Sequence, residues 1–247
     1  MAGKLLFACF FIGGVVPPYC EVSYCPSDKT NVGCLPPPQA GGPACGASPS
    51  VIPMTATLQT LILDLHNSYR STLATGGLAP FSPARRMPTL QWDDELASQA
   101  GHLTRSCVIA ADKCLNTEQF QNTGQNIRYT TTATTSDANT LIQQFVDEWW
   151  NENRFTNAAQ IDSFPSDPQV PPIREFALMA NDRTWKVGCA MQFWNEEHTI
   201  PTYYFVCNYS SNIIDGEAVY VTGTVASGCT TNQNPQHPGL CSLDEPF

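Results

Sequence analysis

The apolar positions of this chain change period several times, and each change marks an element. From Thr57 onward, Leu58, Leu61, Ile62, Leu65, Tyr69 and Leu73 recur at three- and four-residue steps, the spacing that gathers side chains on one helical face. Gly76-Gly77 ends that helix, because glycine takes the left-handed conformation that closes a last turn. A second helix is predicted from about Asp93 to Cys107, with Leu96, Ala97, Ala100 and Leu103 inward and Asp93 or Asp94 near its cap. A third opens at Ser136-Asp137 and carries Leu141, Ile142, Phe145, Val146 and Trp149. A short fourth covers about Ile173 to Ala180, with Pro171-Pro172 at its first turn. The period then shortens to two. Lys186 to Asn195 alternates Val187, Cys189, Met191 and Phe193 with other residues, and Tyr203 to Tyr209 pairs back across a Glu196-Glu197-His198 turn. Gln125 to Thr131 is a third candidate strand. Helices on both faces of a small antiparallel sheet make an α+β fold, a three-layer α-β-α sandwich.

The two ends follow other rules. Lys4 precedes an apolar run, Leu5 to Val16, which Pro17-Pro18 stops. A basic residue before a short apolar stretch is the layout of a secretory signal peptide, read here as residues 1–16 with a cut between Gly13 and Pro18. The run falls short of the about 20 apolar residues that span a bilayer. Residues 17–55 are rich in cysteine, proline and glycine (Pro36-Pro37-Pro38, Gly41-Gly42-Pro43) and read as stapled loops, since proline lacks the amide a helix needs. The remaining chain reads as one domain, 56–215, with an extended tail, 216–247.

Composition narrows the function classes. The chain has 12 Lys+Arg against 22 Asp+Glu; losing Lys4 with the signal leaves 11 against 22, or −11. So acidic a surface disfavours nucleic acid and anionic membranes as partners. Of 11 cysteines, Cys9 lies in the signal, which leaves ten, an even number in an exported chain. That points to a full disulfide set without a free thiol nucleophile. No Cys-x2-Cys pair suggests zinc, and neither His-Glu-x-x-His nor Gly-x-Ser-x-Gly occurs. Asn208-Tyr209-Ser210 fits the glycosylation sequon, but in a strand, where low occupancy is expected.

Five segments, in order, then carry a resemblance. His66-Asn67-Ser68-Tyr69-Arg70 looks like the His-Asn-x-x-Arg helix of the CAP superfamily, and Leu90-Gln91-Trp92-Asp93 like the segment that opens its second helix. Gly124-Gln125-Asn126-Ile127 resembles the Gly-Glu-Asn strand in its antigen-five form, Phe176 to Cys189 the first CAP signature, and Cys207-Asn208-Tyr209 the Cys-Asn-Tyr signature. The tail Pro238-Gly239-Leu240-Cys241 is similar to antigen-five-related proteins of flies, with members from venom and biting-fly saliva closest. The resemblance implies the sandwich fold, secretion as a monomer, and disulfides Cys20–Cys34, Cys25–Cys114, Cys45–Cys107, Cys189–Cys207 and Cys229–Cys241.

It also implies a cleft that in many members holds a cation between two histidines and two glutamates. Those positions here carry Phe120, Gln125, Glu148 and Glu175, so both imidazoles are missing. Glu148 and Glu175 either share a proton or stand solvated or paired with Arg174 or Arg183, the latter being the expectation. No metal, cofactor or catalysis is expected, and His66 reads as a hydrogen-bonded helix residue. By resemblance the protein is a binder of fatty-acid or eicosanoid ligands in an apolar channel, with Trp149, Trp150 and Phe155 as lining. The alternative is an antagonist of a host receptor, channel or integrin acting through the Cys25–Cys34 loop. Where a family member presents Arg-Gly-Asp to integrins, this loop reads Pro26-Ser27-Asp28, without the arginine.

Overall fold

The computed structural model describes residues 18–20, 24–26, 28–197 and 199–246. The signal segment, Ser27 and His198 of the expected hairpin turn lie outside them. The described chain forms β1 (Ala47–Ile52), α1 (Ala56–Ala74), β2 (Gln91–Trp92), α2 (Asp94–Ser106), β3 (Gly124–Thr131), α3 (Ala138–Trp150), α4 (Ala158–Asp162), α5 (Arg174–Ala180), β4 (Lys186–Glu196) and β5 (Ile200–Tyr209). The sheet order is β1-β4-β5-β3, antiparallel throughout, with the two residues of β2 added parallel to β4.

Polar caps start the three long helices. Thr55, Asp93 and Asp137 each accept a backbone N–H from three residues on, which satisfies a donor that the first turn leaves open. The two faces of the β4–β5 hairpin serve different layers. Val187, Cys189, Met191, Phe205, Cys207 and Tyr209 pack against α1, α3 and α5, while Ala190, Trp194, Tyr204 and Val206 pack against Ala100 and Leu103 of α2. The result is the three-layer α-β-α sandwich.

The α1 motif has a structural task. Asn67 donates to the Leu90 carbonyl at 3.0 Å and accepts from the Leu90 amide at 2.8 Å. The fully buried Arg70 donates to the carbonyls of Pro88, Met179, Asn181 and Thr184 at 2.7–3.3 Å. One guanidinium thus joins α1 to the segment before β2 and to the end of α5, using a planar donor set that lysine lacks.

The structure departs from the sequence reading in three places. The loop region contains β1, an edge strand that pairs antiparallel with β4 along one side. The 158–162 segment forms α4, fixed by a reciprocal capping box between Asn157 and Gln160. Pro171-Pro172 precede α5 rather than forming its first turn, and Ile173 at the cap offers no side-chain acceptor. The described residues of the tail form no strand or helix, and its Val219, Tyr220 and Leu240 are buried in the main core.

Five disulfides join Cys20–Cys34, Cys25–Cys114, Cys45–Cys107, Cys189–Cys207 and Cys229–Cys241. Two of them tie the N-terminal loops to the region that follows α2, and one crosses β4 and β5.

Candidate functional site

The sheet edge β3 meets the C-terminal end of α3 and the start of α5, and three carboxylates gather there. Alternation along β3 sends Asn126 and Arg128 to the α3 side. Arg128 Nε lies 3.0 Å from Glu148 on α3, and its Nη1 lies 3.0 Å from Glu175 in the first turn of α5. Gln144, one helical turn before Glu148, donates to its other oxygen at 2.8 Å. Glu152 sits one turn after Glu148, in the 3-10 turn Asn151–Phe155 that continues α3. Its Oε2 accepts the backbone amides of Glu175 at 2.8 Å and Phe176 at 3.1 Å, which supplies the cap that α5 otherwise lacks.

The side chains of Glu152 and Glu175 also touch each other. Burial raises both carboxyls; for Glu175, Arg128 opposes this while the neighbouring Glu152 adds to it, and the outcome is about 8. Two carboxylates in contact, one buried and one half-buried, do not both ionise as readily as free ones, which favours a shared proton on the pair. A hollow of about 360 Å³ opens beside them, lined by Arg128, Glu148, Glu152, Arg154, Phe155 and Pro172 among others.

Several expected placements change. The partner of Glu148 and Glu175 is Arg128; Arg174 pairs with Asp215 at 3.7 Å and Arg183 with Glu217 at 3.3 Å. The proton-sharing partner of Glu175 is Glu152, one turn beyond Glu148. Gln125 turns to the opposite face of the sheet, where it donates to Asn208 at 2.9 Å and accepts the Asp112 amide at 3.0 Å. Phe120 is buried edge-on against Trp185, with ring centroids 5.9 Å apart. The four aligned positions therefore do not converge. Among the described residues, no group of three or more His, Cys, Asp or Glu side chains is arranged to hold a metal ion.

The lining role also fails for two of the three aromatics. Trp149 stacks on Phe205 of β5 at 5.4 Å and donates its indole N–H to Ile127, and Trp150 lies between Tyr69 at 4.8 Å and Phe176 at 4.9 Å. Their faces are covered by protein, as core aromatics are. Phe155 alone is exposed, at 56 %, on the rim of the charged hollow.

His66 is fully buried, with Nδ1 2.8 Å from the Ile62 carbonyl and Nε2 3.0 Å from the Tyr209 hydroxyl. Burial lowers its pKa to about 4, so the ring is neutral: Nδ1 donates and Nε2 accepts. Asn208 of the sequon is fully buried, bonded to Gln125 and the Leu96 carbonyl, and a glycan does not fit there in the folded chain.

The N-terminal loop is held at both ends, by Cys20–Cys34 and Cys25–Cys114. Between them Pro26 and Asp28 are exposed on a turn closed by the Lys29 amide and the Pro26 carbonyl at 2.9 Å. Arg128 and Glu152 were not found from the sequence. The four-residue step from Glu148 to Glu152 was the available signal for one, and the two-residue step from Asn126 for the other.

A disulfide-stapled α-β-α sandwich with a carboxylate cleft at its sheet edge defines a CAP-type domain. The chain belongs to the CAP family, described as Cysteine-rich secretory protein family, whose sequence profile matches residues 63–209. It is 42 % identical over 242 residues to Venom allergen-1 of Aedes albopictus, covering 98 % of this chain and 93 % of that one. To Tabinhibitin 3 of Tabanus yao it is 29 % identical over 228 residues, covering 92 % and 87 %. The crystal structure of NaASP2 with Zn2+ shares the fold, with a TM-score of 0.63 at 22 % identity over 76 % of this chain and 96 % of that one. No helix among the described residues is long and apolar enough to cross a membrane.

Proposed function

We propose that the protein is a secreted, non-enzymatic binding protein that sequesters a small hydrophobic ligand of the fatty-acid or eicosanoid type. The observation that carries the non-enzymatic part of this reading is the Arg128 guanidinium. It balances the charge of Glu148 and contacts the Glu175 carboxyl, where a divalent cation would otherwise sit. A metal hydrolase needs ligands with an open position for water, and an acid–base enzyme needs a carboxyl facing its substrate. Here Glu152 is committed to two backbone amides, and His66 is locked by two hydrogen bonds in the core. The ten cysteines outside the apolar leader are paired, which removes a thiol nucleophile. Native mass spectrometry of protein from its natural source tests the reading. A stoichiometric small apolar molecule is expected; protein that arrives empty and ignores fatty acids and leukotrienes in titration would refute it.

A second reading is favoured by Pro26 and Asp28, which are exposed in a loop anchored by disulfides at both ends. It makes the protein an antagonist of a host extracellular protein, and relatives carry the name Tabinhibitin. Comparing wild type with Asp28→Ala in platelet aggregation decides it: inhibition lost in the variant supports the reading, and no effect of either protein ends it.

A further inference from the structure

Away from the carboxylate cleft, a hollow of about 590 Å³ opens between the segment after α1, the turn before β4 and the C-terminal tail. Its walls are Arg85, Arg86, Asp182, Arg183, Trp185 and Val221. In a chain of net charge −10 this is an anomaly. Three of 12 cationic residues line one hollow, and a fourth, Lys186, stands 4.9 Å over the Trp185 ring. Cations assembled on an acidic molecule make a local reversal of field that draws small anions while the rest of the surface repels them.

The wall is built rather than incidental. The tail clamps Arg85 from both sides, its amide donating to Val221 at 2.8 Å and its carbonyl accepting from Gly228 at 2.8 Å. A Cβ at Gly228 would stand 3.2 Å from the side chains of both Arg85 and Arg86, and one at Gly223 would stand 3.3 Å from Arg85. The two glycines therefore make room for the arginine stems. Arg86 is fixed by Glu245 at 2.8 Å and the Pro246 carbonyl at 2.7 Å.

The donors are not used up. The Arg85 guanidinium has no hydrogen-bond or ion-pair partner among the described residues. Arg183 gives Nη1 to Glu217 at 3.3 Å, but its Nε and Nη2 are shut from water without an acceptor. Such donors cost free energy until an acceptor arrives. The one carboxylate in the wall, Asp182, is turned to the Val221 amide at 2.8 Å, and burial raises its pKa, so it opposes an incoming anion less than a free carboxylate would. Trp185, Val221 and the arginine stems supply an apolar surface beside the charge.

We propose that this hollow is a binding site for an amphipathic organic anion, with an acid group between Arg85 and Arg183 and a flat apolar body against Trp185. The volume suits a ligand of drug-like size, for which about 300–1,000 Å³ is typical. The proposal rests on the small-ligand reading above and moves the ligand from the covered Trp149 and Trp150 to this wall.

Two fluorescent probes of nearly the same shape test it on the full-length protein: anilinonaphthalene sulfonate, which carries an acid group, and phenylnaphthylamine, which lacks it. Wild type is expected to bind the sulfonate at least about tenfold more tightly than the amine. Arg85→Ala and Arg183→Ala should each weaken the sulfonate by about tenfold at unchanged melting temperature, and Arg85→Lys should retain most of the affinity. Equal affinity for both probes, no binding of either, or full sulfonate affinity in the two alanine variants overturns the site. The broader reading fails separately: source protein that carries no small molecule sinks it even if the probes discriminate, and a neutral lipid found in source protein keeps it even if the probes do not.

Discussion

Glu175 stands at the start of α5 with its carboxyl against that of Glu152, and the proton between them ties stability to pH. Burial raises Glu175 from its ordinary 4.5 to about 8, so the folded chain holds this proton more tightly than the unfolded chain. The stabilising contribution is complete below about pH 4.5 and is lost as the pH rises toward 8. Denaturant titrations of Glu175→Gln, whose amide cannot ionise, should therefore show a flatter stability profile between pH 5 and pH 8 than wild type, each about a unit wide at its edges. A parallel fall in both proteins would contradict the shared proton. Arg70 gives a second prediction at this scale. Arg70→Lys keeps the charge but cannot reach four separate carbonyl groups, so equilibrium unfolding should show a loss of about 3 kcal/mol or more.

At the level of elements, α2 lies so close to β4 that the strand needs glycine under the helix. A Cβ on Gly188 would collide with the Ala97 amide nitrogen and the Asp93 carbonyl oxygen, both backbone atoms that cannot step aside alone. Gly188→Ala should cost about 3 kcal/mol or more, seen as a melting temperature lower by roughly 6–12 °C. A variant that melts with wild type would show that this contact is looser than described. The same close packing explains which elements were legible beforehand. α1, α2 and α3 each carry a long apolar stripe and a polar cap, so local sequence and tertiary burial agree. β1 reads Ala47-Ser48-Pro49-Ser50-Val51-Ile52, with a proline and two serines, and only its pairing to β4 makes it a strand. α4 is five residues long, too short for periodicity to show. The cleft divides likewise. Glu148 and Glu175 were found through the resemblance, whereas Arg128 and Glu152 join them only because β3, α3 and α5 cross at one place, which no local pattern encodes.

Over the whole molecule, the tail acts as a strap rather than an appendage. Buried Glu245 accepts the amides of Thr230 and Thr231, the Thr231 hydroxyl and Arg86 Nε at 2.6–3.0 Å. Burial works against its charge, but those donors outweigh it and hold the carboxyl at about 2, below its ordinary 4.5. Its contribution is therefore present above about pH 4.5 and lost as the pH falls toward 2. Glu245→Gln should cost about 1–3 kcal/mol at neutral pH, with the gap to wild type closing in acid; a gap independent of pH would contradict the ionised strap. Cys25–Cys114 closes a sequence separation of 89 residues, so removing it should cost about 2–5 kcal/mol in the unfolding equilibrium.

The Arg128 guanidinium stands between Glu148 and Glu175, where a cation would otherwise sit. Calorimetric titration of wild type and Arg128→Met with zinc tests this most directly. Wild type should take up no zinc at the cleft, while the variant, with its carboxylates uncovered, should bind weakly and lose that binding in Glu148→Gln. Tight, stoichiometric zinc uptake by wild type that Glu148→Gln abolishes would contradict it.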